Sequence, residues 1–184
     1  VRWWEPYSGA AASGPDVLGL WKFDGDETSF TIDSSSHKHP GVLSGAKQSP
    51  QGRFGQCLES AAGYPVADIS HAVHVSRSPN LSPEAAFTVE MWIRQKDSAE
   101  FPENYSPVLM DMKYVPGSHT GFMLTLTPAS STGTRELVLE IGTGAASFHW
   151  YSLPFPLDAE IWKHVAFTYD AKGTVEFFVN GAAT

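Results

Sequence analysis

The chain has 184 residues, 42% of them hydrophobic and 17% charged, which is enough apolar material for one domain with a sizeable core and too much for a disordered tail. Its 12 basic and 20 acidic residues leave a net charge of −8. The lysines and arginines are scattered singly, without the basic stripe that phosphate binding needs, which argues against a nucleic-acid partner. An anionic polysaccharide would meet the same repulsion, so a neutral glycan or a cation is the easier ligand. No apolar run approaches the length that crosses a bilayer as a helix. Cys57 stands alone, which forbids an internal disulfide and reads as a small apolar residue of a short strand rather than a reactive thiol. The chain begins at Val1 with no charged-then-apolar leader, as expected of a mature product or an excised piece.

In chain order, residues 1–16 form a lead-in or linker, with Trp3, Trp4 and Tyr7 followed by Gly, Ala, Ser and Pro. The domain is expected to occupy residues 17–184, beginning with a strand-like run over Val17–Phe23. Asp24 to Pro40 is a polar loop in which Asp24, Asp26, Glu27 and Asp33 supply hard oxygen ligands of the kind calcium takes. The same composition suits a solvated acidic loop in which Asp33 closes an Asx turn. His37 and His39 read as an exposed polar pair rather than a transition-metal site.

Short strands are predicted over Gln56–Ser60 and Ala72–Val75. Phe87–Arg94 alternates Phe87, Val89, Met91 and Ile93 on a core side with Thr88, Glu90, Trp92 and Arg94 on the other. Glu90 and Arg94 are then expected to pair along the strand. Val108–Met112 interrupts a long connection that carries Phe101, Tyr105 and Tyr114. Strands follow over Gly121–Thr127, Arg135–Gly142 and Ser147–Tyr151, the last carrying His149, Trp150 and Tyr151. The clearest pattern comes last. Val165, Phe167 and Tyr169 alternate along one arm and Val175, Phe177 and Val179 along the next, with Asp170-Ala171-Lys172-Gly173 as the turn and Asn180-Gly181 as a second turn.

Several of these segments resemble the laminin-G-like, concanavalin A-like lectin/glucanase jelly-roll family. The run Trp162-Lys163-His164-Val165-Ala166-Phe167-Thr168-Tyr169-Asp170 with Phe178-Val179-Asn180-Gly181 is similar to its W-x-H-V-A-x-T-Y-D … F-V-N-G signature. Leu20-Trp21-Lys22-Phe23-Asp24, Asp33-Ser34-Ser35-Ser36, Gly41-Val42-Leu43, Gly52-Arg53-Phe54-Gly55-Gln56-Cys57-Leu58 and Phe87-Thr88-Val89-Glu90-Met91-Trp92-Ile93 resemble further family segments, in the same order. The resemblance implies an all-β, helix-poor, two-sheet antiparallel jelly-roll sandwich. It also implies one or two strands after the V-N-G turn, so the domain reads as truncated at its C-terminus, with an edge completed by a second chain if not by a longer one. It further implies a calcium ion near Asp33, with Asp24 beside it, and a secreted, periplasmic or cell-surface location.

Function is less legible, because the site decides it and not the fold. The first expectation is a non-catalytic module of a larger exported protein that binds a carbohydrate or other ligand. Sugars lay their C–H faces on aromatic rings, so the candidate contacts are Tyr105, Tyr114, Trp92, Trp150 and Tyr151. Trp92 and the strand of Trp150 are expected on one concave face, although loop aromatics also serve as packing lids. The alternative is a structural or adhesion spacer that holds neighbouring domains or protein partners. A glycoside hydrolase ranks third. Retaining glucanases on this fold carry carboxylates at i, i+2 and i+4 of one strand, about 5 to 5.5 Å apart. Here the positions after Glu90 are Trp92 and Arg94, and Asp111 has no acidic neighbour at i±2.

Overall fold

The computed structural model describes residues 14–26, 28–60, 71–82, 85–96, 106–113 and 119–184. The chain divides into two compact units, Val1–Leu81 and Ser82–Thr184. Among the described residues there is no α-helix, and the strands pair antiparallel in five sheets, as expected of an all-β chain.

The second unit is the two-layer sandwich. One layer runs β15 (Ala182–Ala183), β14 (Val175–Val179), β13 (Lys163–Tyr169), β6 (Phe87–Ile93), and the other β11 (Ser147–Tyr151), β10 (Leu137–Gly142), β8 (Phe122–Leu126), β7 (Val108–Asp111). Strand alternation decides which residues fill the space between the layers. From one side come Phe122, Leu124, Leu126, Leu137, Leu139 and Ile141, and from the other Val165, Phe167 and Phe177, with Phe87, Val89, Met91 and Ile93 packed against them. Phe167 has no exposed surface, and its ring meets Phe87 edge-on at 5.6 Å and Phe122 at 6.0 Å. The alternations read for the strands at 87–93, 165–169 and 175–179 therefore hold.

Both predicted turns form. Asp170 Oδ1 accepts from Lys172 N at 2.7 Å and from Thr174 N at 2.9 Å, closing the loop with Ala171 and Gly173 at positive φ. Those bonds from Thr174 and Lys172 hold the exposed Asp170 carboxyl below its ordinary pKa. Asn180 and Gly181 have φ of 49° and 79°, the paired left-handed conformation of a two-residue hairpin. The strand expected after that turn begins as β15, with Ala182 opposite Val179. The run read as one strand over Arg135–Gly142 is broken at Glu136, because Thr134–Arg135 (β9) pairs with Phe155–Pro156 (β12) while β10 pairs with β8 and β11.

The first unit holds β1 (Phe30–Thr31), β2 (Gly41–Ser44) and β5 (Ala72–Val75) in one sheet and β3 (Lys47–Ser49) with β4 (Cys57–Glu59) in another. The strand expected over Val17–Phe23 is reduced to a single bridge between Trp21 and Asp33. Leu20 donates its N–H to Asp33 Oδ1 and accepts at its C=O from Ser34 N, and Phe23, at φ 60°, turns the chain out of the extended region at the end of the run.

Truncation of Phe167 to alanine should cost about 3–5 kcal/mol in urea unfolding, because the ring fills the centre of the sandwich. Val42→Ala, on an exposed sheet face, should stay within about 0.5 kcal/mol of the parent.

Candidate functional site

The polar loop of the first unit is built around Asp33, only 1% exposed. Its Oδ1 accepts from Leu20 N and Ser35 N, both at 2.8 Å, and its Oδ2 accepts from Ser35 Oγ at 2.7 Å and His39 N at 2.8 Å. Four donors occupy the four acceptor positions of a carboxylate. Burial pushes this carboxyl up, but the bonds from His39, Leu20 and Ser35 together outweigh it and hold the group below its ordinary pKa. Trp21 Nε1 donates to His39 O at 2.8 Å, which ties the loop to the Trp21 segment.

Asp24, the other expected metal ligand, uses Oδ1 to accept from Gln56 N at 3.0 Å. That bond fixes the Arg53-Phe54-Gly55-Gln56 turn, where Gly55 has φ 74° and an added Cβ would fall 2.5 Å from Asp24 Oδ1. The arrangement does not fit calcium at Asp33, whose lone pairs are spent on the protein. Among the described residues no group of three His, Cys, Asp or Glu is placed to hold a metal. The Asx-turn reading of Asp33 is the one its geometry matches. His37 and His39 stack in parallel at 6.1 Å, with His37 Nε2 3.3 Å from Pro15 O and its Nδ1 3.2 Å from Asn80 Nδ2.

In the second unit, the three aromatic candidates that are described do not converge. Tyr105 and Tyr114 lie outside the described residues. Trp92 faces away from the core on β6, and its ring meets His164 of β13 at 5.4 Å. Trp150 pairs with Leu139, which points inward, and it packs toward the core against Tyr169 at 6.1 Å. Only Tyr151, opposite Val138, stands on the outward face of the other layer, 60% exposed. Trp92 and Tyr151 thus lie on opposite outer faces of the sandwich, because the two strands belong to different layers and both side chains point away from the core. Trp150 differs from Tyr151 for the same reason: one step along a strand reverses the face.

The outward face of β13 and β6 holds a second polar contact that the sequence reading misses. His164 Nε2 is 3.1 Å from Glu90 Oε2 across the strands. Arg94, expected to pair with Glu90, instead reaches Glu160 at 3.3 Å and lies over the Trp162 ring at 5.2 Å. His164 is also bound at its backbone, donating N–H to Asn180 Oδ1 at 3.0 Å and accepting from Asn180 N at 2.8 Å. An open hollow at the end of this layer is lined by Thr88, Thr168, Asp170 and Glu176, but Asp170 is committed to its turn.

Around Tyr151 the outward face is more developed. Glu140 follows Val138 by two positions on β10 and sits opposite His149 and Met123. Its carboxylate pairs with Lys113 Nζ and lies 3.6 Å from His149 Nε2. The Lys113 hydrogen bond, stronger than the opposing effect of burial and assisted by Ser147, holds the Glu140 carboxyl below its ordinary pKa. Ser147 Oγ is also 3.1 Å from His119 Nδ1. Asp111 on β7 shares Met123 as its cross-strand neighbour, so it stands two strands from Glu140, about 9–10 Å between Cα atoms at ordinary strand spacing. This row of Lys113, Glu140, His149 and Ser147 beside an exposed phenol is drawn from two strands, β10 and β11, and the segment after β7. No sequence spacing reveals it, since the partners lie 27 residues apart for Lys113 and Glu140.

Comparison with protein families matches residues 68–184 to the laminin-G-like family of the concanavalin A-like lectin/glucanases superfamily. The chain belongs to this family. Neither the curated proteins nor the solved structures give a match. The matched stretch takes in the whole second unit and β5, so the sandwich of this laminin-G-like chain is the family's lectin/glucanase architecture. Such domains serve mainly as carbohydrate- or ligand-binding modules, with glycosidases elsewhere in the superfamily.

Replacing Asp33 with Asn sets an amide N–H₂ against protein donors and should cost about 2–4 kcal/mol in chemical denaturation. The folded pKa of Asp33 lies below its unfolded value of about 3.9. Its contribution is therefore complete above that pH and fades as pH falls through the folded value, so acid unfolding of the parent should converge with that of Asp33→Asn. A calcium-induced rise in Tm that is present in the parent and lost in Asp33→Asn would contradict this reading.

Proposed function

We propose that this chain is a non-catalytic module of a larger exported protein, secreted, periplasmic or displayed on the cell surface, and that it binds a neutral carbohydrate. The observation that carries the reading is the outward face of the β7, β8, β10 and β11 layer, where the exposed ring of Tyr151 lies beside the fixed polar row of Glu140, Lys113 and His149. An aromatic platform flanked by oriented acceptors and donors is the chemistry that recognises a sugar's C–H face and hydroxyls.

The same face supports a binding role over a hydrolytic one. Glycoside hydrolysis needs one carboxyl protonated as a general acid, with a raised pKa. Glu140 is held ionised by Lys113, and Asp111 Oδ1 accepts from Lys113 N. A spacer that contacts other proteins is a second reading, favoured by the exposure of Phe148 on β11 and of Leu153 just after it.

Titration calorimetry or affinity electrophoresis against neutral polysaccharides separates these readings. Tyr151→Ala should weaken binding at least about tenfold, equivalent to about 1.4 kcal/mol, with little change in stability. Trp150→Ala should act through the core and lower Tm instead. Retention of full affinity by Tyr151→Ala, or silence of the parent against every glycan, would overturn the proposal.

A further inference from the structure

The register of the β7, β8, β10 and β11 layer sets its outward side chains in two rows that cross all four strands. In the first row Tyr151 stands opposite Val138, Val138 opposite Thr125, and Thr125 opposite Val108. In the second, His149 stands opposite Glu140, Glu140 opposite Met123, and Met123 opposite Asp111. Val108 and Asp111 are three residues apart, and an unbroken strand would turn them to opposite faces. The irregularity of β7 between Val108 and Met110 restores Asp111 to the face of Val108, while Leu109 and Met110 pack toward the core. Re-aiming a side chain in this way is what a bulge beside a site does.

The two rows differ in chemistry. The first carries no formal charge and offers a ring, two branched alkyl groups and a hydroxyl. The second is polar along its length, because Lys113 Nζ pairs with the Glu140 carboxylate and Lys113 N donates to Asp111 Oδ1 at 2.7 Å. At ordinary strand spacing the first row spans about 14 Å between the Cα atoms of Tyr151 and Val108, longer than one pyranose ring. Its two ends are its most exposed members, Tyr151 at 60% and Val108 at 54%, so no described residue closes over either end. A site that grips a chain end needs such a wall, whereas a row open at both ends lets the ligand continue past it. Neighbouring strands rotate by about 20–25°, so the rows form a twisted band that suits one pliable chain over the flat surface of a packed polymer. Both rows lie on the face of the layer, and what pairs with its margins does not enter.

We propose that this face takes an internal stretch of a single neutral polysaccharide chain laid across the four strands, its C–H faces on the row from Tyr151 to Val108 and its hydroxyl edge on the row from His149 to Asp111. The inference rests on the carbohydrate reading of this face and adds the class of ligand, an extended chain held along its length. Each further ring that finds a place on the row is already tethered beside it, so affinity grows with chain length until the row is full.

Titration calorimetry of the whole chain against cello-, xylo- and manno-oligosaccharides, from the monosaccharide to the hexasaccharide, tests it. In the series that binds, the monosaccharide should give no measurable heat, affinity should rise at least about tenfold from the disaccharide to the tetrasaccharide, and it should level off by the hexasaccharide. Reduction of the hexasaccharide's end to the alditol should leave its affinity unchanged. Val108→Asp, at the opposite end of the row from Tyr151, should weaken the hexasaccharide at least about fivefold with circular dichroism unchanged; should that variant not fold, the length series decides alone. Affinity independent of length, loss of binding on end reduction, or a folded Val108→Asp that binds the hexasaccharide as tightly as the parent would overturn this inference and leave Tyr151 as a site for a single sugar or a chain end. Silence of the parent toward all three series and toward neutral polysaccharides would overturn the carbohydrate reading and this inference with it.

Discussion

The sandwich depends on β13, the strand held between β6 and β14, whose inward side chains Val165 and Phe167 are fully buried. An interior strand has both backbone edges paired, so its register is pinned from both sides, and a slip of one residue would turn Phe167 outward and His164 inward. The register is further fixed at its start, where Asn180 of the following turn grips the backbone of His164 through both an acceptor and a donor. At its far end Asp170 closes the hairpin with two bonds from its own carboxylate. With β13 fixed, β6 is placed opposite it from Phe87 to Ile93. The inward row of β6 then meets the β8 and β10 leucines across the core.

This arrangement explains why the family signature was readable and what its residues do. Each motif that carried the resemblance is a structural tie. Asp33 gathers Leu20, Ser35 and His39 around a buried carboxylate; Asp24 holds the turn before Gln56; His164 and Asn180 lock a hairpin; Asp170 closes one. Two-residue alternation is visible in a sequence because it repeats with a period, and the Asp170 turn because its bonds span only two and four residues. The fold was therefore legible from the spacing of Val165, Phe167 and Tyr169, and of Phe87, Val89, Met91 and Ile93.

The site was not legible for the complementary reason. Lys113, Glu140, His149 and Tyr151 come together only when β10 is flanked by β8 on one side and β11 on the other, and that neighbourhood is set by long-range pairing. Aromatic content alone drew attention to Trp92, Trp150 and Tyr151 equally, whereas strand parity and layer membership send them to three different environments. The composition of the acidic loop left a cation site and an Asx turn equally open, and the bond from Ser35 N to Asp33 Oδ1 matches the second. Asp33 has the composition of a cation ligand, but its oxygens are consumed by Leu20, Ser35 and His39, a fact that depends on how the chain folds back and not on which residues it contains.

The sandwich of the second unit has two outward faces, one carrying Trp92 with His164 and Glu90, the other Tyr151 with Glu140 and His149. The most direct discrimination is amide chemical-shift mapping of the labelled chain on addition of neutral oligosaccharides. A binding face centred on Tyr151 predicts perturbations that cluster on β10, β11 and residues 111–113 and saturate with ligand. Perturbations centred on Trp92 and His164, or no saturable change anywhere, would contradict it.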